Sequence, residues 1–166
     1  MPESLEKFLG QVATRGSWVG GGSVTALSAA LAAALLEKLT LDPHAIRRLR
    51  RSRRACVRLI RQDAETFARA IRATRSRNGQ VFRRALKAAT AVQEQGFHHA
   101  CAVQAASRQA RQTVKPRFQS DLRCALKLAT AARESAGILI HTNLAWLDEK
   151  AYVSTVRRKL RRAARH

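Results

Sequence analysis

Three consecutive glycines, Gly20-Gly21-Gly22, run directly into Ser23 and an alanine-rich stretch. Glycines at such a turn let backbone N–H groups come close to a carboxylate or a polar ring edge, and the helix start behind them attracts anions. The same glycines read equally well as conformational, because a turn needs residues without a Cβ. Asp63 stands three residues after Ile60 and four before Phe67, which directs a carboxylate along an apolar helical face. An inward carboxylate is either structural, paired with an arginine or capping a neighbour, or a proton carrier with a shifted pKa. Asp121 opens another helical pattern, where it suits a cap or the first-turn helix dipole. Asn143 follows Leu139 by four residues on an inward stripe, where a carboxamide ties two helices together or holds a polar ligand. His98 and His99 are adjacent and face different directions on a helix, and His141 stands apart, so no metal is assigned.

Helices must position these groups. Apolar residues recur at threes and fours almost throughout, and no stretch alternates strictly enough for a strand. A short first helix over 4–13 carries Leu5, Phe8, Leu9 and Val12 on one face. Ser23 is placed to cap the second helix, whose small residues all round suit a central rod packed on several sides. Asp42 and Pro43 start a long helix to about Arg75 with a stripe of Ile46, Leu49, Cys56, Ile60, Phe67 and Ile71. After a turn at Asn78 and Gly79 the pattern resumes, with Gly96 a point of bending or interruption. Lys115 and Pro116 close that element, and Ser120 or Asp121 caps a helix carrying Leu122, Ala125, Leu126, Ala129, Ala132, Ala136, Leu139, Asn143 and Trp146 inward. A last helix over 149–164 buries Tyr152, Val156 and Leu160 and exposes arginines. The pattern predicts an all-α, up-and-down bundle of about five long helices with a short N-terminal helix. It reads as one domain, 1–166, with 156–166 as the basic end of the last helix.

The chain of 166 residues has a formal net charge of +21. That charge attracts polyanions such as nucleic acid, a membrane surface or a polyanionic small molecule, or it is an arginine-rich surface on an ordinary fold. Cys56, Cys101 and Cys124 are widely spaced with no CxxC pair, which argues against a disulfide framework or a zinc site and for a reducing compartment. Glu3 and Glu6 precede any apolar stretch, unlike a secretory signal. The apolar run from Val24 to Leu36 is too short to span a bilayer. A cytoplasmic protein is the expectation.

The segments "GGGSVTALSAALAAALLEKL", "QDAETFARAI", "ALKAATAV" and "QSDLRCALKLATAARESAGILIHTNL" occur in this order. Together they resemble the formiminotetrahydrofolate cyclodeaminase and methenyltetrahydrofolate cyclohydrolase family, over most of the chain. The resemblance implies a helical bundle that forms a homodimer and binds a reduced folate in a cleft, with no resident cofactor. It implies acid/base chemistry on one carbon held between two folate nitrogens, either ring closure with loss of ammonia or hydrolysis of the methenyl bridge. Asp63 and Asp121 fall on its motif positions as catalytic carboxylates, and Gly20, Gly21, Gly22, Ser23 and Asn143 as substrate-binding residues.

The sequence departs from the family pattern where Ser17, Trp18 and Val19 replace the proline expected before the glycines. It departs again where Gln93 follows Val92 in place of another proline, and the connection around 76–79 is short. Arg47, Arg48, Arg50, Arg51, Arg53, Arg54, Arg58 and Arg61 fill half of one helix without an acid, and Arg157, Arg158, Lys159, Arg161, Arg162 and Arg165 crowd the C-terminus. Two readings follow. One is a folate enzyme whose arginines hold a polyglutamylated substrate. The other is an inactive relative that binds a polyanion, nucleic acid or polyglutamylated folate, through its basic surface.

Overall fold

The computed structural model of the protein describes residues 4–76 and 78–165; Glu3, Arg77 and His166 lie outside the described residues. The described residues form six α-helices and two single 3-10 turns and contain no strand. The helices are α1 (Leu5–Ala13), α2 (Gly21–Leu39), α3 (Pro43–Thr74), α4 (Gly79–Gln109), α5 (Gln119–Ala145) and α6 (Lys150–Ala163). Helices α2 to α5 form an up-and-down ring in which α2 packs on both α3 and α5, and α4 on both α3 and α5. Alanines on α2 and α5, among them Ala29, Ala32, Ala33, Ala125, Ala129 and Ala132, are almost fully buried and allow close helix approach.

The buried face of α3 reads Leu49, Ser52, Cys56, Leu59, Asp63, Thr66, Ala70 and Ala73, alternating in steps of three and four. This heptad-like seam turns one face steadily toward the partner helices. It corrects the purely apolar stripe, because small and polar residues occupy half of the seam. Phe67 is 44% exposed, and Ile46, Ile60 and Ile71 are only half-buried at its edges.

Asp42 caps α3, its carboxylate accepting from the backbone N–H groups of His44 and Ala45. Asn78 does the same for α4, accepting from Gln80 and Val81. Helix α4 runs unbroken through Gly96, which is buried, so no interruption occurs there. Trp146 is 70% exposed, because α5 ends at Ala145 and the helical period no longer sets the direction of its side chain. Helix α6 lies over α4, buries Val156 and Leu160, and ends at Ala163, short of the extent expected for the basic segment. The apolar face of α1 is only partly covered: Phe8 and Val12 are half-buried, and Leu5 and Leu9 are exposed.

Helix α2 is 19 residues long, longer than its apolar run, and by length and composition passes as a membrane span. Half of its most apolar window is buried against other helices, as suits the core rod of a bundle.

Candidate active site

Helix α2 begins three residues earlier than its sequence suggests, and the difference creates the site. Gly20 is the N-cap, with extended backbone, and Gly21 and Gly22 are already helical. Ser23 is therefore not the cap but a fully buried residue of the first turn. Its hydroxyl lies 2.8 Å from Asp63 Oδ2 and 3.0 Å from the Ile60 carbonyl, both on α3. The glycines supply no left-handed turn, since the only described glycine with positive φ is Gly16. Gly22 instead supplies space. A Cβ there would fall inside the van der Waals envelope of the Asp63 carboxylate and the Gln93 amide.

Asp63 is 8% exposed and meets three donors. The Ser23 hydroxyl and backbone N–H hold one side, and Gln93 Nε2 on α4 donates to Oδ1 at 2.5 Å. A carboxylate offers about four lone-pair directions, so about one stays open. Burial pushes the Asp63 carboxyl above its ordinary value of 3.8, and the bonds from Ser23 and Gln93 hold it down against that push. The result is a buried group seated at a helix N-terminus, able to give up and take back a proton at one free position.

Asp63 lines a cleft of about 420 Å³ at the end of the bundle where α2 begins. Trp18 and Phe67 form one wall, their rings edge to face at 6.4 Å. Phe82, Leu86 and Leu139 form apolar walls, and Trp146 stands at the rim. Thr142 and Asn143 on α5 complete the polar set with Asp63 and Gln93. The volume and the mixture of apolar walls with few convergent polar groups suit a small molecule with a flat, polar-edged ring. Among the described residues the Asn143 side chain makes no hydrogen bond, so it ties no helices together.

The structure thus gathers Gly20, Gly21, Gly22, Asp63 and Asn143 around one cleft, with Ser23 immediately behind Asp63. It does not bring Asp121 there. Asp121 lies in the first turn of α5 and its carboxylate is 3.7 Å from the Lys38 ammonium at the far end of α2. Lys38 is fifteen residues beyond Ser23, about 22 Å along the helix axis. The reason is topological, because α5 runs antiparallel to α2 and its start meets the end of α2. Asp121 caps nothing either, since α5 starts at Gln119 behind Phe118.

Gln93 is the site residue that the sequence reading passed over, noted only where a proline was expected. Its signal was present: it falls on the buried stripe of Leu86, Ala89, Gln93, Phe97 and Ala100, as Asp63 does on α3. Among the described residues no group of three or more His, Cys, Asp or Glu side chains is placed to hold a metal.

A larger hollow of about 830 Å³ lies beside the cleft and shares Trp18 with it. Arg15, Arg69 and Arg72 line it together with Glu65, and no buried carboxylate or amide points into it. Size alone would favour this hollow, but the convergent polar groups are in the smaller cleft.

The family model described as formiminotransferase-cyclodeaminase matches residues 4–162. The crystal structure of formiminotetrahydrofolate cyclodeaminase from Thermotoga maritima superposes with a TM-score of 0.90 at 19% identity. The match covers 97% of this chain and 88% of that one. No curated protein matches the chain.

Proposed function

Because this chain belongs to the formiminotransferase-cyclodeaminase family, we propose that it is an enzyme acting on formimino- or methenyl-tetrahydrofolate, with Asp63 as its acid/base. The observation that carries the reading is the Asp63 carboxyl of α3, buried against the first turn of α2, held by three donors and lining the cleft. In ring closure, one folate nitrogen attacks the carbon of the protonated formimino group and loses a proton, the resulting amino group gains that proton and leaves as ammonia, and the positive charge stays on the methenyl bridge. In bridge hydrolysis, water adds to the cationic methenyl carbon and loses a proton, the departing ring nitrogen gains it, and the remaining hydroxyl proton is released to solvent as the formyl C=O forms. Each reaction asks one group to accept a proton and return it a few ångströms away. A single open position on a carboxyl whose pKa burial raises meets that need.

The other side chains take positioning roles. Trp18 and Phe67 hold the flat ring, and the Asn143 carboxamide and Thr142 hydroxyl bond its polar edge. Gln93 and Ser23 orient the carboxyl. The anionic glutamate tail of the folate, polyglutamylated or not, extends into the hollow of Arg15, Arg69 and Arg72 beyond Trp18. No resident cofactor takes part. Two of the three free cysteines, Cys56 and Cys101, are buried, which suits the reducing cytoplasm.

The protein works as a homodimer in this reading. Val24 and Leu31 on α2 and Ile138 on the adjoining α5 are exposed, and the seven-residue spacing of the first two keeps them on one helical face for a second copy.

The purified protein is to be given formimino-tetrahydrofolate and methenyl-tetrahydrofolate separately, following ammonia release and the absorbance of the methenyl bridge. Turnover of either compound is the expected result. Turnover of neither would overturn the reading.

A further inference from the structure

The charge of this chain is not spread evenly, and one helix concentrates it. Helix α3 has no acidic residue between Asp42 and Asp63, while eight arginines fall in that interval. Arg50 and Arg53 turn toward α2, where both pair with Glu37 at 2.8 and 2.9 Å, and Arg61 pairs with Glu65 at 2.7 Å. Arg47, Arg51, Arg54 and Arg58 have no such partner: all four are exposed and none forms an ion pair among the described residues. The one polar contact of the four is Arg47 Nη2 to His44 Nδ1, at 2.7 Å.

At 100° per residue these four positions fall within about 60° of one another, directly opposite the buried seam of Leu49, Ser52, Cys56 and Leu59. They form a straight row about 17 Å long with a guanidinium roughly every 5 Å. Like charges at three- and four-residue spacing repel, so the row costs stability unless an anion lies along it. The C-terminal helix is different. Arg157, Arg158, Arg161 and Arg162 spread over about 140° of α6. Acids also lie close to that helix, where Lys159 pairs with Glu94 at 3.1 Å.

We infer that the outer face of α3 is a nucleic-acid-binding surface that engages the phosphate backbone of a duplex without reading its sequence. Repeating phosphates match a linear row of guanidiniums, and arginine forms bidentate bonds to phosphate oxygens. The only aromatic residue on α3, Phe67, is committed to Trp18 at the cleft. The row therefore lacks a platform on which unpaired bases would stack, which favours a duplex over a single strand. It also lacks apolar residues interleaved for insertion into a bilayer, Val57 alone standing exposed at its edge. Phosphate contacts of this kind fix position and carry no base specificity. This inference is independent of the folate reading, since none of the four arginines lines the cleft.

The test is fluorescence anisotropy with a labelled 20-base-pair DNA duplex of arbitrary sequence, its RNA counterpart, and phosphatidylserine-containing vesicles. With four phosphate contacts the affinity for DNA falls about 100-fold between 50 and 200 mM salt. The variant Arg47→Gln/Arg51→Gln/Arg54→Gln/Arg58→Gln keeps good helix formers on a solvent face, so its circular dichroism matches the parent. It loses about 100-fold or more in duplex affinity at 50 mM salt, and its log–log salt slope is shallower by about 3 to 4. The equally charged control Arg157→Gln/Arg158→Gln/Arg161→Gln/Arg162→Gln loses no more than a few-fold. Equal losses in the two variants, no duplex binding by the parent, or stronger binding to the vesicles than to either duplex would each overturn the inference.

Discussion

Replacing the three glycines one at a time by alanine separates two explanations of the motif. If Gly22 only shapes a turn, alanine there is harmless or beneficial, since it is helical and alanine is favoured over glycine by up to about 1 kcal/mol. The structure gives the opposite sign. The new Cβ would meet the Asp63 carboxylate and the Gln93 amide, two groups already bonded to each other in a buried space. Either the carboxylate swings away and loses a bond to a charged group, about 1.5–3 kcal/mol, or the helices part and pay overpacking strain of about 1–3 kcal/mol. After the propensity gain, Gly22→Ala is destabilised by about 0.5–2 kcal/mol, or about 1–8 °C in Tm for a chain of this size. Turnover falls at least about 100-fold, because the carboxyl leaves its seat. Gly21→Ala meets only Leu139 side-chain carbons, at 3.7 Å and beyond, and Gly20→Ala meets nothing within 4 Å. Both stay within about 1 kcal/mol of the parent. Thermal melts and folate turnover of the three variants provide the assay. A Gly22→Ala protein as stable and active as the parent, or a Gly20→Ala protein more damaged than it, would refute the reasoning.

Ser23→Ala removes a donor to the ionised Asp63, so the acidic limb of the pH–activity profile moves to higher pH, as stopped or continuous assays from pH 4 to 9 will read. The folded-state pKa of Asp63 lies above its unfolded value, so its protonated form adds stability that is full below about pH 4 and is lost as pH rises through the folded pKa. Denaturant melts across this range show the decline in the parent and a flatter course in Asp63→Asn. Burial pushes the Cys56 thiol up to about 11 and also raises Cys101, while Cys124 is exposed. A thiol reagent under native conditions therefore titrates one cysteine quickly and the other two only on unfolding.

The fold was legible because every helix carries its own period and most carry their own stops. Asp42 before Pro43 marks a start that holds to the residue, whereas Asn78 and Gly79, read as a turn, are the cap and first residue of α4. Ser23 was misread because serine ahead of an apolar run is normally a cap, whereas here Gly21 and Gly22 extend the helix backwards to let α2 touch Asp63. Asp63 was visible as a carboxylate on a buried seam. Gln93 gave the same signal on α4, but amides on inward faces attract less notice than charges. Asp121 shows what local pattern omits. Helix periodicity places a side chain around its own axis, but the end of the bundle at which it lies depends on the directions of all the helices together. Following α2 up, α3 down, α4 up and α5 down would have put Asn143, not Asp121, beside the glycines.

The central claim is that Asp63 moves the proton while its neighbours hold it in place, and the Asp63→Asn protein tests it most directly. Asparagine keeps the shape of the side chain, and rotation of the Gln93 amide presents its oxygen to the new NH2 group, so the fold and the cleft survive. Turnover of formimino- or methenyl-tetrahydrofolate is to be measured alongside folate affinity by calorimetry. The expected result is a fall in kcat of about 100- to 10,000-fold with affinity changed only a few-fold. A folded Asp63→Asn protein that keeps turnover within about threefold of the parent, against that expected loss, would contradict the account.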